Sequence, residues 1–231
     1  MSKLQKYLDF LIEKYEVETK GILSDDGKKV SVDGKEYPLL PWRNERRFIE
    51  LKKICETTVG EISHFKIMSV NSKSISLSDV IKKEIDLVEY IGASKITKVF
   101  EAKNGETCSI ICETEKGWVA TLELACSLPS KTKTVDKHEI ITDRGTACDR
   151  GVDSQTPLYS TYVYGGEEKT FTDVDFELYG LTAEEISVVR QAFEITKNGK
   201  IGEENLHSDA RLEKLLNCIE KSEKTCEDVR V

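Results

Sequence analysis

Three consecutive alternating segments constrain the fold of this chain most. They are KITKVFEA, ETCSIICE and WVATLELAC, and apolar and polar side chains alternate over much of their length. Such alternation is typical of β-strands that bury one face. Asn104-Gly105 separates the first two segments, and Glu115-Lys116-Gly117 precedes the third. Because these are hairpin turn sequences, the region predicts an antiparallel meander.

Helical patterns lie on both sides of the meander. Apolar residues recur with helical spacing over residues 4–12, 44–55 and 77–91, and Thr182 with Glu185 forms a T-x-x-E capping box. A last helix is predicted to begin near Ser208. Further strands are predicted at residues 61–70, 135–142 and 158–165, and Asp33-Gly34 predicts a hairpin. This order favours an α+β fold, with an open, mainly antiparallel sheet and helices on one face.

Composition excludes several classes of function. The chain has 231 residues and a formal net charge of −8, without a Lys/Arg cluster, so neither nucleic acid nor an anionic membrane is an expected partner. No apolar run approaches the ~20 residues that span a bilayer, and the first residues lack the apolar region of a secretory signal. The seven cysteines include no C-x-x-C pair, which indicates reduced, mostly buried thiols and a cytoplasmic location.

Metal and nucleotide sites are not expected in this chain. Cys108 and Cys112 would share one strand face, but no further ligands follow at zinc spacing. His64, His138 and His207 are isolated in the sequence, so each is interpreted as a structural histidine. Neither G-x-G-x-x-G nor G-x-x-x-x-G-K-[ST] occurs, so no nucleotide cradle is predicted and NAD(P) could be present only through a partner chain.

Four segments, taken in order, resemble the C-terminal half of the glucose–fructose oxidoreductase/inositol dehydrogenase (Gfo/Idh/MocA) family. They begin RNERRFIEL, LSDVIKKEI, ETCSIICET and AFEITKNGK, and the resemblance covers roughly residues 43–231. It is weakest between Leu128 and Gly180. The second segment resembles the family's D-x-x-x-H helix. The resemblance divides the chain into an N-terminal helix and hairpin appendage, residues 1–42, and a family-like α+β domain, residues 43–231.

The resemblance also implies a function. Such a domain supplies the wall that faces the substrate, and its sheet commonly forms the oligomer interface. A preceding Rossmann domain holds NAD(P) and a catalytic lysine, and family members commonly oxidise or reduce a hydroxyl of a sugar or polyol. This chain departs from that pattern. It has no Rossmann domain apart from what resembles its last helix and strand, and the Asp33-Gly34 hairpin has no family counterpart.

Asp79 and Lys83 are the first candidate site residues. Asp79 matches the family's aspartate, whereas Lys83 stands where the resemblance expects the histidine. A histidine has a reference pKa near 6.5 and suits proton transfer, whereas that of a lysine is near 10.4, so no catalytic residue is assigned. The pair either hydrogen-bonds a polar ligand or forms a surface salt bridge. Glu84 falls inside the apolar arc of the same helix, and either pairs with an arginine such as Arg46 or Arg47 or lies at the helix edge.

A polar loop supplies the remaining candidates. Between its glycines it carries several hydrogen-bonding side chains: Arg144, Asp149, Arg150, Asp153 and Gln155. These could bind a polyhydroxylated ligand or a partner chain, or the loop could simply be solvated.

Two functional hypotheses follow from these features. The first is the substrate-binding and oligomerisation subunit of a split NAD(P)-dependent sugar or polyol oxidoreductase, whose Rossmann domain belongs to a partner protein. The second is a non-catalytic binding or scaffolding protein that kept the fold and lost the chemistry. In both, the chain is expected to form a homo-oligomer through its sheet face.

Overall fold

The computed structural model describes residues 2–57, 60–130, 132–149, 160–164, 169–172, 175 and 177–231. Over residues 160–164 and 169–172 it describes the backbone. The helices within the described residues are α1 (Lys3–Lys14), α2 (Arg46–Thr57), α3 (Leu77–Gly92), α4 (Ala183–Lys197), α5 (Gly199–Thr225) and a 3₁₀ helix (Pro41–Asn44). The strands are β1 (Gly21–Leu23), β2 (Lys29–Val32), β3 (Lys35–Pro38), β4 (Ile62–Ser72), β5 (Ile96–Asn104), β6 (Thr107–Thr114), β7 (Val119–Leu128), β8 (Val135–Thr142), β9 (Gly145–Cys148), β10 (Ser160–Tyr164), β11 (Lys169–Thr172) and β12 (Val229–Arg230).

The first of two compact units comprises Met1–Arg46 and Val174–Arg211. It contains a small antiparallel sheet in the order β1-β2-β3, and α1 and α4 pack against each other. The hairpin predicted at Asp33-Gly34 is confirmed, since Val32 pairs with Lys35 and both turn residues have positive φ angles, 51° and 79°. This two-residue turn with positive φ matches the right-handed twist of its strands.

The second unit comprises Arg47–Asp173 and Leu212–Val231. Its sheet has nine strands among the described residues, in the order β11-β10-β9-β8-β4-β7-β6-β5-β12. The β4–β7 pair is parallel and the others are antiparallel. Alternate residues of β4, β6 and β7 are buried, and α3 packs against β4 and β7. The predicted α+β fold with a mainly antiparallel sheet is therefore confirmed.

One sequence boundary differs from the structure. The last helix begins at Gly199 rather than near Ser208. Gly202 lies inside that helix, and a Cβ there would come within 2.6 Å of the Tyr37 ring. The unit that contains residues 1–46 also includes 174–211. The division of the chain at residue 42 stays a prediction.

The cysteines are thiols, as the sequence predicts. All seven cysteines are free, and Cys108, Cys112, Cys126 and Cys148 are buried. Burial raises the pKa of the Cys112 thiol to about 12, which makes it inert at neutral pH.

Within the described residues, no helix combines the length and the apolar character that crossing a membrane requires.

Candidate functional site

His138 is the centre of a buried ionic cluster in the second unit. Its side chain is fully buried, and each ring nitrogen lies beside a carboxylate. The Nε2 atom is 2.8 Å from Oε2 of Glu84, and Nδ1 is 2.6 Å from Oδ2 of Asp149. The backbone N–H of His138 also donates to Oδ1 of Asp149, at 2.7 Å. The residue is therefore held at both ring nitrogens and at its backbone N–H, between α3 and the segment that follows β9.

Arg47, at the start of α2, binds two aspartates of the same cluster. Its Nη1 and Nη2 atoms donate to the two oxygens of Asp136 at 3.0 and 2.9 Å, in a bidentate pair. Nη1 also donates to Oδ2 of Asp149, at 3.0 Å. A planar guanidinium matches a carboxylate in this geometry, so Arg47 fixes the orientation of both acids.

Lys83 is the outermost cation of the cluster. Its Nζ lies 3.5 Å from Oε1 of Glu84 and 3.7 Å from Oδ2 of Asp136. The Lys83 side chain is 22% exposed and that of Asp136 is 13% exposed, whereas Glu84 and Asp149 are fully buried. The cluster therefore meets solvent at Lys83 and Asp136.

The Phe48 ring packs among all three cations. The Arg47 guanidinium carbon is 4.3 Å from its centroid, and the Lys83 ammonium is 5.5 Å away. The His138 ring meets it in a T-shaped contact with centroids 4.7 Å apart. The negative face of an aromatic ring attracts cations, and most strongly where both are desolvated. Phe48 itself is fully buried, which places this interaction away from water.

Simple periodicities bring these residues together. On β8, Asp136 and His138 are two residues apart, so their side chains share one face of the strand. His138 pairs in register with Ile67 of β4, whose side chain is also buried. Glu84 belongs to the buried stripe of α3, and Lys83 precedes it at the edge of that stripe. A polar cluster is thus built on the face of the sheet that carries the apolar core.

The six charged side chains balance each other if His138 is protonated. Arg47, Lys83 and His138 then carry three positive charges, against three carboxylates. Burial disfavours an imidazolium, but the carboxylates of Asp149 and Glu84 outweigh this and raise the pKa of His138 to about 10.

The carboxylates of the cluster are shifted in the opposite direction. Burial favours the neutral form of Glu84, but Lys83 and His138 attract the carboxylate and hold its pKa below the usual range. Burial likewise opposes ionisation of Asp149, and His138 and Arg47 more than compensate, so that its pKa is also lowered. The pKa of Asp136 is lowered in the same way, since Arg47 and Lys83 outweigh its burial.

The structure locates four of the seven residues proposed from the sequence. Lys83 and Asp149 belong to the cluster, whereas Asp79 is exposed in the first turn of α3. Arg144 is exposed near the turn between β8 and β9, where its backbone N–H donates to Thr142. The remaining candidates, Arg150, Asp153 and Gln155, lie outside the described residues.

Sequence reasoning missed the central residue of the cluster. His138 was interpreted as an isolated structural histidine, and Asp136 was not considered. A signal was present, because an acidic residue and a histidine two positions apart on a strand face the same side. The described contacts of Glu84 join it to His138 and Lys83, while Arg47 binds the two aspartates. Among the described residues, no group of three or more acidic, cysteine or histidine side chains could hold a metal ion.

Comparison with known proteins finds similarity in structure but not in sequence. No family model and no curated protein matches the sequence. An oxidoreductase from Agrobacterium radiobacter, solved with NAD+, L-tartaric acid and magnesium, has a TM-score of 0.67 and 13% identity over 84% of this chain and 64% of its own. A levoglucosan dehydrogenase solved with NADH and levoglucosan has a TM-score of 0.66 and 13% identity, over 83% of this chain and 65% of its own.

A third solved structure agrees with these two. An inositol dehydrogenase homolog from Azotobacter vinelandii, complexed with NADH and myo-inositol, has a TM-score of 0.63 and 10% identity over 84% of this chain and 64% of its own. The chain thus spans less than two thirds of the length of each of these proteins. At such low identity the likeness concerns the fold, and over more than four fifths of its length this chain shares the fold of these oxidoreductases.

Proposed function

We propose that this chain is the substrate-binding and assembly part of an NAD(P)-dependent sugar or polyol oxidoreductase of the Gfo/Idh/MocA type. A separate chain would bring the nucleotide-binding domain. The observation that carries this proposal is the fold shared with dehydrogenases solved together with NADH and a polyhydroxylated compound. Since the chain spans under two thirds of those proteins, the activity is proposed for the assembly rather than for this chain alone.

Lys83 is the residue of the cluster best placed to meet a ligand. It is partly exposed, and its ammonium group can donate hydrogen bonds to a hydroxyl. Two carboxylates within 4 Å stabilise its positive charge, so it suits binding better than proton abstraction. In this proposal Lys83 orients a hydroxyl of the substrate, Asp79 assists one turn earlier on α3, and the partner supplies the cofactor and the catalytic base.

Reconstitution tests this proposal. The tagged chain would be purified from its native cells, retained proteins identified by mass spectrometry, and the complex assayed for reduction of NAD+ or NADP+ with a panel of sugars and polyols. We expect a stoichiometric partner with a G-x-G-x-x-G motif and activity in the complex. Lys83→Met should weaken substrate binding, whereas Lys82→Met, which removes a surface pair with the exposed Glu213, should not. A chain that retains only itself and shows no activity would contradict the proposal.

A non-catalytic binding or scaffolding protein is the second candidate function. The contacts of the basic groups in the cluster favour it. Both ring nitrogens of His138 contact carboxylates, and the ammonium group of Lys83 lies beside the carboxylates of Glu84 and Asp136. Groups whose charges are held by opposite charges of the same cluster suit a fixed structural role better than proton exchange during turnover. Activity in the reconstituted complex that Lys83→Met reduces would contradict this candidate.

Assembly through the open face of the sheet is part of both candidates. Ile111 is 44% exposed and Met68 is 39% exposed on this face. On the described part of this face, from β8 to β5, three lysines and three glutamates could pair with those of a second copy: Lys66, Lys98, Lys137, Glu113, Glu123 and Glu139. Light scattering during gel filtration should show an oligomer that Ile111→Lys dissociates. The control Ile22→Lys, at a 64% exposed position of the first unit, should leave it intact.

A further inference from the structure

Both ring nitrogens of His138 need a hydrogen to donate. Each lies within 2.8 Å of a carboxylate oxygen, and neither the histidine nor these two acids are exposed. An ionised carboxylate accepts hydrogen bonds and cannot donate them, and a neutral imidazole carries only one N–H. A neutral imidazole between two ionised carboxylates could donate only one of these two hydrogen bonds. The row Glu84–His138–Asp149 therefore needs one additional proton, on the imidazole or on one of the acids.

The extra proton is better placed on the imidazole than on an acid. Imidazole is the more basic group, with a reference pKa near 6.5 against about 4 for carboxyl groups. Each acid also has a second cation beside it, since Lys83 lies 3.5 Å from Glu84 and Arg47 donates to Asp149 at 3.0 Å. These cations favour the ionised acids and hence a charged histidine.

The other surroundings of His138 agree with this assignment. Asp136 adds a third carboxylate from its own strand, and Phe48 of α2 offers an aromatic ring at 4.7 Å. On β4, the register partner Ile67 is apolar. With the imidazolium, the cluster has three charges of each sign, and without it one carboxylate would be buried without a balancing charge. An unbalanced buried charge is strongly destabilising.

We propose that His138 is a permanent imidazolium that positions Glu84 beside Lys83 and Asp149 beside Arg47. It thereby fastens α2 and α3 to β8 and to the segment after β9. One consequence rests on the function proposed above: His138 does not exchange a proton during turnover, and Lys83 is the only cation of the cluster that faces the ligand.

Nuclear magnetic resonance of the chain labelled with ¹⁵N at histidine tests the proposal directly. From about pH 5.5 to about pH 8.5, both ring nitrogens of His138 should remain protonated and its signals should not move. His64 provides an internal control. It lies near the other face of the sheet with Thr121 as hydrogen-bond partner, and its pKa is lowered by partial burial and by Lys66. Its signals should therefore move at a pH below the value of about 6.5 for an unperturbed histidine, in a titration extended to more acidic pH. A His138 signal that titrates within the range would overturn the proposal.

The variant Glu84→Gln tests the positioning role. It keeps the size of the side chain but removes one of the two carboxylates that hold the imidazolium. His138 should then lose its proton at a lower pH than in the wild type, whereas the His64 titration should stay in place. An unchanged His138 spectrum would show that Glu84 is not its ionic partner. Because the experiment uses this chain alone, failure to find a dehydrogenase partner would leave its outcome unaffected.

Discussion

The charged histidine has a measurable consequence for stability at alkaline pH. The pKa of His138 is near 6.5 in an unfolded chain and about 10 in the folded protein. Between these pH values the folded protein retains a proton that the unfolded chain releases. The contribution is complete below pH 6.5 and is lost as the pH rises towards 10. The slope approaches about 1.4 kcal/mol per pH unit once the unfolded histidine is deprotonated, so the free energy of unfolding should fall by roughly 2 kcal/mol between about pH 6.5 and about pH 8.5.

Urea unfolding at closely spaced pH values provides the assay. Trp42→Phe leaves Trp118 as the single tryptophan, and its fluorescence then reports on the second unit. The window stops at about pH 8.5 because thiols of the unfolded chain are about half ionised there. Buried thiols such as Cys112, whose folded pKa is about 12, add a slope of the same sign towards the upper end of the window, so the comparison with a histidine variant is needed.

Two histidine variants show which residue causes the fall in the free energy of unfolding with pH. His138→Gln should abolish most of it, because a glutamine carries no proton that ionises in this range. His64→Gln should leave it unchanged, since the pKa of His64 is lowered and its contribution falls below pH 6.5. A wild-type protein whose stability is flat over this window, or a His138→Gln variant with the same slope as the wild type, would refute the reasoning.

Three substitutions around the cluster make further predictions. Glu84→Gln leaves a buried positive charge without its partner and should reduce the free energy of unfolding by about 3–5 kcal/mol, measured by urea unfolding at pH 7. The control Glu139→Gln, which removes a half-exposed pair with Lys137, should change it by no more than about 1 kcal/mol. Phe48→Leu should lower the free energy of unfolding by roughly 2–3 kcal/mol, because a shape change in the core adds to the loss of the desolvated cation–π contacts. A smaller effect, measured by calorimetry, would show that these contacts contribute little. Lys83→His should lose more stability between pH 5.5 and pH 8 than the wild type does, because an imidazole near the surface supplies the third positive charge only when protonated. The same loss in both proteins would contradict this role.

The sequence predicted the layers of the fold because local periodicity encodes them. Alternation over much of their length identified β5, β6 and β7, and the turn signals between them correctly indicated hairpins. The capping box at Thr182 is present as predicted, with the Thr182 side chain accepting from Glu185 and the Glu185 carboxylate accepting from the Thr182 backbone. Each of these features depends on residues within a few positions of one another.

The parallel pairing of β4 with β7 and the ionic cluster were beyond local patterns. Lys66 of β4 pairs with Thr121 of β7, and one helix and two strands intervene between them in the sequence. The cluster joins Arg47, Glu84 and Asp149, whose positions in the sequence are far apart. The sequence singled out Glu84 as a carboxylate inside an apolar arc, which required a partner. It could not identify that partner as His138, because a histidine on a strand gives no local sign of its charge.

Lysine at position 83 and histidine at position 138 are best understood together. A histidine at position 83, as the family resemblance expects, would carry a positive charge for only part of the time at neutral pH. Three ionised carboxylates would then face Arg47, His138 and an intermittent third charge, and a buried acid would often lack its balance. A lysine supplies that charge at every physiological pH. A lysine at this position therefore lets all three acids of the cluster, two of them fully buried, stay ionised at every physiological pH, whereas a histidine would do so only in part.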